Sequence, residues 1–221
     1  DYDPVDEIMV TVGVSEAIGV VMTTLLNPED EVLIPDPAYL AYPACVSIAR
    51  GKPVLVPTRA EDEFKLTVEE LEKKVTPRTK AILIGYPNNP TGTVMDRESL
   101  EKIADFAQKH DLVVISDEIY CDLTYEGTHT CFASLPGMKE RTLTMNGFSK
   151  SYAMTGLRVG YICGPREIME QIYKVHQYEI LCASVTSQYG AIAALKYCDD
   201  DVKAMYDEYA ARREMVYEGL K

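Results

Sequence analysis

Residues 112–117 read Leu-Val-Val-Ile-Ser-Asp, a short apolar run closed by a carboxylate, and they follow a stretch of helical period from Arg97 to His110. An uninterrupted Val/Ile-rich run suits a strand buried on both faces, and alternation with helices marks a parallel sheet. The same alternation runs outward in both directions. Strands are predicted at Glu31–Pro35, Pro53–Pro57, Lys80–Tyr86, Leu112–Asp117, Thr142–Asn146 and Arg158–Cys163. Helices are predicted at Ser15–Leu26, Tyr39–Ala49, Val68–Val75, Arg97–His110 and Pro165–Leu181, then at Thr186–Tyr197 and Val202–Leu220. Asn27-Pro28 and Gly51 act as stop signals, Thr67 with Glu70 forms a capping box, and Asp96 caps the helix after it. Asp199-Asp200-Asp201 reads as a helix N-terminus, where negative charge is favoured. The pattern predicts an α/β fold: a three-layer α/β/α sandwich around a mostly parallel sheet.

The 221 residues are 47% apolar, enough to bury one large core and better suited to one domain than to two. Lys and Arg number 22 against 35 Asp and Glu, a formal charge of −13 with no basic stripe, so neither nucleic acid nor an anionic membrane is an expected partner. The 6 cysteines are scattered without a Cys-x-x-Cys pair, which argues against a disulfide framework or zinc site and for a reducing, cytoplasmic setting. His110, His129 and His176 lie far apart, and no metal is expected. No apolar run approaches the roughly 20 residues that span a bilayer.

Chemistry concentrates in a few segments. Lys150 stands in Gly147-Phe-Ser-Lys-Ser-Tyr-Ala-Met-Thr-Gly-Leu-Arg-Val-Gly160, between an apolar run and a glycine-punctuated strand. An amine attacks carbonyl carbon only when unprotonated, so a reactive lysine needs burial or a nearby cation, and this setting is expected to supply both. Asp117 closes its strand at the carboxyl edge, where open α/β sheets hold ligands. Gly13-Val14-Ser15 opens a helix, so its N–H groups and positive end suit an anion, although a plain serine cap reads the same way. Arg158 offers a planar fork to a dianion or to a surface carboxylate. Asn89-Pro-Thr-Gly92 also reads as a tight turn in which asparagine bonds its own backbone.

In order, Thr11-Val-Gly-Val-Ser-Glu-Ala-Ile18, Tyr86-Pro-Asn-Asn-Pro-Thr-Gly92, Ile115-Ser-Asp-Glu-Ile-Tyr120, Lys150 and Arg158 resemble the class I/II aminotransferases, pyridoxal-phosphate enzymes of fold type I. The resemblance runs through essentially the whole chain. It implies a seven-stranded sheet in a cofactor-binding large domain over 1–198, with 199–221 starting the helix that leads to a small C-terminal domain outside this chain. It implies that Lys150 forms the Schiff base and serves as general base and acid, and that Asp117 keeps the pyridine nitrogen protonated. Tyr120 and Asn89 would bond the ring hydroxyl, Tyr39 would stack on the ring, and Gly13, Val14, Ser15, Ser149 and Arg158 would hold the phosphate. Asn89 would also face substrate. Many relatives carry a serine phosphate ligand three residues before the lysine; here that position is Gly147, with Ser149 as the substitute.

The implied activity is ping-pong transfer of an amino group between an amino acid and a 2-oxo acid, in a homodimer. Two other activities share these residues: a carbon–sulfur β-lyase, and the aminotransferase-like effector domain of a transcription regulator.

Overall fold

The computed structural model describes residues 1–221. The strands are β1 (Ile8–Thr11), β2 (Glu31–Asp36), β3 (Lys52–Pro57), β4 (Thr79–Gly85), β5 (Val113–Asp117), β6 (Thr142–Gly147) and β7 (Gly160–Cys163). They form one 7-stranded sheet in the order β1-β7-β6-β5-β4-β2-β3. β7 runs antiparallel to both of its neighbours, and the other pairings are parallel. The helices are α1 (Gly13–Leu25), α2 (Ala41–Ile48), α3 (Val68–Glu72), α4 (Arg97–Lys109), α5 (Arg166–Glu179), α6 (Val185–Tyr197) and α7 (Asp199–Leu220).

Alternate residues of each central strand feed opposite layers, as the pleat requires. Val32, Ile34, Leu83, Ile115 and Leu143 pack with Ile18 and Val21 of α1 and with Met169 and Ile172 of α5. On the other face Leu33, Ile82, Ile84 and Val114 pack with Leu100, Ile103 and Phe106 of α4. These two apolar layers make the three-layer sandwich that the sequence predicts. Ile103 is 1% exposed, so truncating it to alanine removes about 2–5 kcal/mol.

Several boundaries depart from expectation. β1 escapes the list of predicted strands because it is an edge strand of 4 residues with only alternate burial. Arg158 does not begin a strand: it follows a 3₁₀ turn at Thr155–Leu157 in the left-handed conformation, φ 51°, and β7 starts at Gly160. Helix α7 starts at Asp199, so the three aspartates form its first turn instead of preceding it, and none of their side chains caps it. Thr67 and Asp96 do cap their helices, accepting from the Glu70 and Ser99 amides. No helix is long and apolar enough to cross a membrane.

The register lines up the carboxyl ends of three strands. Gly85 of β4 pairs with Asp117 of β5, Asp117 with Met145 of β6, and Gly147 of β6 with Gly160 of β7. The segments bearing Asn89, Tyr120 and Lys150 all leave the sheet from this edge, which is where ligand sites of such sheets form.

Candidate active site

Asp117 is 5% exposed at this edge. Its Oδ2 accepts from the Tyr42 hydroxyl at 2.8 Å and its Oδ1 from the Ile119 amide at 3.2 Å. Burial pushes its carboxyl up to about 6; the Tyr42 and Ile119 bonds and the Lys150 charge oppose that rise, and neighbouring Glu118 adds to it. Glu118 points the other way and ties down the loop beyond. It accepts from Ser116 Oγ and the Phe132 amide, both at 3.0 Å, and lies 2.8 Å from His129 Nε2.

Lys150 sits in the bend after β6, and its Nζ lies 5.3 Å from the centre of the Tyr120 ring. Contrary to the sequence expectation it is solvent-exposed, because the segment from Ser149 to Leu157 leaves the sheet as turns instead of packing into it. The Lys150 charge bears on Asp117, whose carboxyl it lowers against the rise that burial causes.

The helix opening and Arg158 meet. Gly13 has φ +72°, and a Cβ there would stand 2.8 Å from Arg158 Nη2. Only glycine serves at this position, on both backbone and steric grounds. Arg158 is exposed and has no carboxylate within ion-pair distance; its Nη1 donates to the Thr155 carbonyl at 2.9 Å. A guanidinium held beside the N–H groups that open α1, with no anionic side chain against it, has the chemistry to accept an external dianion. Ser15 is exposed at the same opening and Val14 half-buried. Ser149 is held through its carbonyl, which accepts from Thr155 Oγ1 at 2.9 Å.

Gly147 has a steric explanation. A Cβ there would stand 2.9 Å from Gly160 Cα and 3.0 Å from the Val159 carbonyl, so β6 and β7 approach too closely for a serine.

Two neighbouring asparagines divide two roles. Asn88 takes the turn: its Oδ1 accepts from the Thr91 amide at 3.2 Å and the Thr91 hydroxyl at 2.9 Å, and its Nδ2 donates to the Gly85 carbonyl at 3.4 Å. Asn89 is exposed, and its side chain takes no part in that turn. With Tyr120 it lines an open cleft of about 1160 Å³ that does not extend to Asp117 or Lys150. Tyr39, 40% exposed, stands edge-on to Tyr42 with ring centres 5.6 Å apart, which sets it beside Asp117 through Tyr42.

The model of the family "Aminotransferase class I and II" matches residues 1–221. The chain belongs to the class I and II aminotransferases. It is 46% identical over 225 residues to aromatic-amino-acid aminotransferase 2 of Thermococcus litoralis, and 47% identical over 225 residues to an aspartate aminotransferase of Pyrococcus abyssi. In both cases the alignment takes in 100% of this chain and 57% of the relative, so the chain spans little more than half the length of the curated relatives it matches. The solved aromatic aminotransferase of Pyrococcus horikoshii superposes with a TM-score of 0.96 at 46% identity, over 99% of this chain and 59% of that one.

Two residues of this aminotransferase chain escape a sequence reading. Tyr42 reaches Asp117 from 75 positions away in the chain, and Gly85 leaves the room for it, since a Cβ there would stand 2.6 Å from the Tyr42 hydroxyl. The one signal for Tyr42 is its spacing from Tyr39, three residues on at the start of the predicted helix. No group of three or more His, Cys, Asp or Glu side chains is arranged to hold a metal ion.

Proposed function

We propose that the protein is a pyridoxal-phosphate-dependent aminotransferase, that residues 1–198 are its cofactor-binding domain, and that it moves an amino group between an amino acid and a 2-oxo acid. The observation that carries this reading is the pairing of an exposed amine, Lys150, with a buried carboxylate, Asp117, at adjacent strand ends beside the Gly13 and Arg158 anion cradle.

These residues fit the cofactor group by group. The N–H groups of residues 13–15 and the Arg158 fork bind a phosphate dianion, with Ser15 and Ser149 as hydroxyl donors at its margin. Asp117 holds a ring cation: an ion pair there offsets the cost of ionising a buried carboxyl. Asn89 and Tyr120 donate to a ring hydroxyl, and Tyr39 covers a ring face. When bound, the cofactor supplies an electron sink for the negative charge that develops on the substrate α-carbon. Lys150 supplies the amine that holds the cofactor and then moves a proton to and from the reacting carbons.

We infer a homodimer from the apolar face of α6, where Val185 is 62%, Tyr189 70% and Leu195 59% exposed, an unusual density for a helix left in water. The six cysteines are unpaired, in keeping with a reducing, cytoplasmic setting.

The test is an absorbance spectrum of the protein with added pyridoxal phosphate beside its Lys150→Ala variant, followed by a panel that includes aspartate and aromatic amino acids. A visible band that depends on Lys150 and is discharged by amino acids, with release of the matching 2-oxo acid, is the expected outcome. Absence of a lysine-dependent band sinks the reading. Release of pyruvate and ammonia from cysteine-like substrates replaces it with a β-lyase.

A further inference from the structure

The turn that carries Gly13 is pinned from outside by a pair of side chains with no part in the chemistry above. Glu16 lies one turn into α1. Its Oε2 accepts from the Val12 amide at 2.5 Å, and its Oε1 lies 2.7 Å from Nδ1 of His176, 160 residues further along the chain. His176 is 5% exposed and lies on the face of α5 that also buries Met169 and Ile172. A polar ring in that apolar layer requires a partner, and Glu16 is the partner it has.

A second bond braces the far side of the same turn: Thr11 Oγ1 donates to the Gly13 carbonyl at 3.0 Å. The peptide plane entering Val12 is thus fixed by Glu16, and the plane leaving Gly13 by Thr11. With both planes fixed, the N–H groups of residues 13–15 are aimed before any anion arrives, and an anion that finds its donors already aimed binds without having to order them.

We propose that Glu16 and His176 are positioning residues of the anion-binding turn, joining α5 to the Val12 amide so that the turn presents its donors to a phosphate group. This rests on the cofactor reading and deepens it. Neither residue touches the phosphate.

The test compares wild type with Glu16→Ala, Glu16→Gln and His176→Ala by two dissociation constants, one for pyridoxal phosphate and one for pyridoxal, which lacks the phosphate. In Glu16→Ala the phosphate-bearing ligand is expected to bind about tenfold more weakly, the value of a lost charge-assisted hydrogen bond, with pyridoxal changed less than about twofold. His176→Ala moves in the same direction by less, and Glu16→Gln, which keeps an acceptor for Val12, restores most of the loss. Hydrogen exchange at the Val12 amide, faster in Glu16→Ala with the rest of the sheet unchanged, separates a loosened turn from an unfolded protein. Equal weakening of both ligands, or none, overturns the proposal. If the wild type shows no lysine-dependent band, the cofactor reading alone fails, and inorganic phosphate becomes the probe. Weaker phosphate binding in Glu16→Ala then supports the clamp, and binding that is equal or undetectable in both proteins overturns it.

Discussion

The Tyr42 hydroxyl donates to Asp117 Oδ2 at 2.8 Å, joining the start of α2 to the end of β5 across the backbone of Gly85. Both partners are buried; burial first, and the Asp117 carboxylate after it, hold the phenol well above its ordinary range, so the tyrosine remains a donor at every physiological pH. The bond favours the charged carboxylate, which is the form that pairs with a cation. Tyr42→Phe is therefore expected to raise the Asp117 pKa further and to weaken binding of a cationic ring by about tenfold, the value of one hydrogen bond to a charged group. Titration of cofactor affinity against pH checks this, and an unchanged profile contradicts it.

Gly85 gives an independent handle on the same bond. A Cβ at this position would stand 2.6 Å from the Tyr42 hydroxyl and displace it from Asp117. Gly85→Ala is expected to reproduce the affinity loss of Tyr42→Phe, and the double variant to be no worse than either single one, because both remove one interaction. Additive losses in the double variant would mean that Gly85 acts by another route.

The fold was readable because the central strands are buried on both faces and therefore spelled as continuous Val/Ile runs, of which Leu112–Asp117 is the plainest. Lys150, Asp117 and Arg158 were readable as residue types at particular places: an amine after a strand, a carboxylate at a strand end, a guanidinium near a glycine turn. Contacts made by packing were not. Tyr42 meets Asp117, and Glu16 meets His176, only once α1, α2 and α5 are laid on the sheet. The exposure of Lys150 is hidden from the sequence for a related reason, since apolar flanks mark a buried segment only if the segment stays in the sheet. Which of two adjacent asparagines makes the turn depends on backbone geometry that their identical side chains do not encode.

Gly147 tests how tightly the register constrains the site. Restoring a serine three residues before Lys150 looks like a gain of a phosphate ligand, but the new Cβ meets Gly160 Cα at 2.9 Å and the Val159 carbonyl at 3.0 Å. Backbone atoms cannot swing aside as a flexible side chain can. Gly147→Ser is expected to destabilise the protein by about 1–3 kcal/mol, the usual cost of overpacking, without tightening cofactor binding. Thermal unfolding and a cofactor titration read the two effects separately, and a tighter complex of undiminished stability would refute the steric account.

Asp117 also sets a pH dependence of stability whose sign follows from its burial. Its folded pKa of about 6 lies above the ordinary 3.8, so the folded state favours the protonated carboxyl. That contribution to stability is complete below pH 3.8 and is lost as pH rises through 6, an interval worth about 3 kcal/mol at 1.36 kcal/mol per unit. Asp117→Asn keeps the shape and removes the titration. In urea unfolding of the cofactor-free protein, the stability of wild type relative to this variant is therefore expected to fall as pH rises from 4 to 7, by up to about 3 kcal/mol. Parallel stability curves would show that the carboxyl is not raised. On the proposed cofactor reading the same substitution also removes the charge partner for a ring cation, so the variant is expected to gain relative stability near neutrality while losing activity, the trade expected where a strained group serves function.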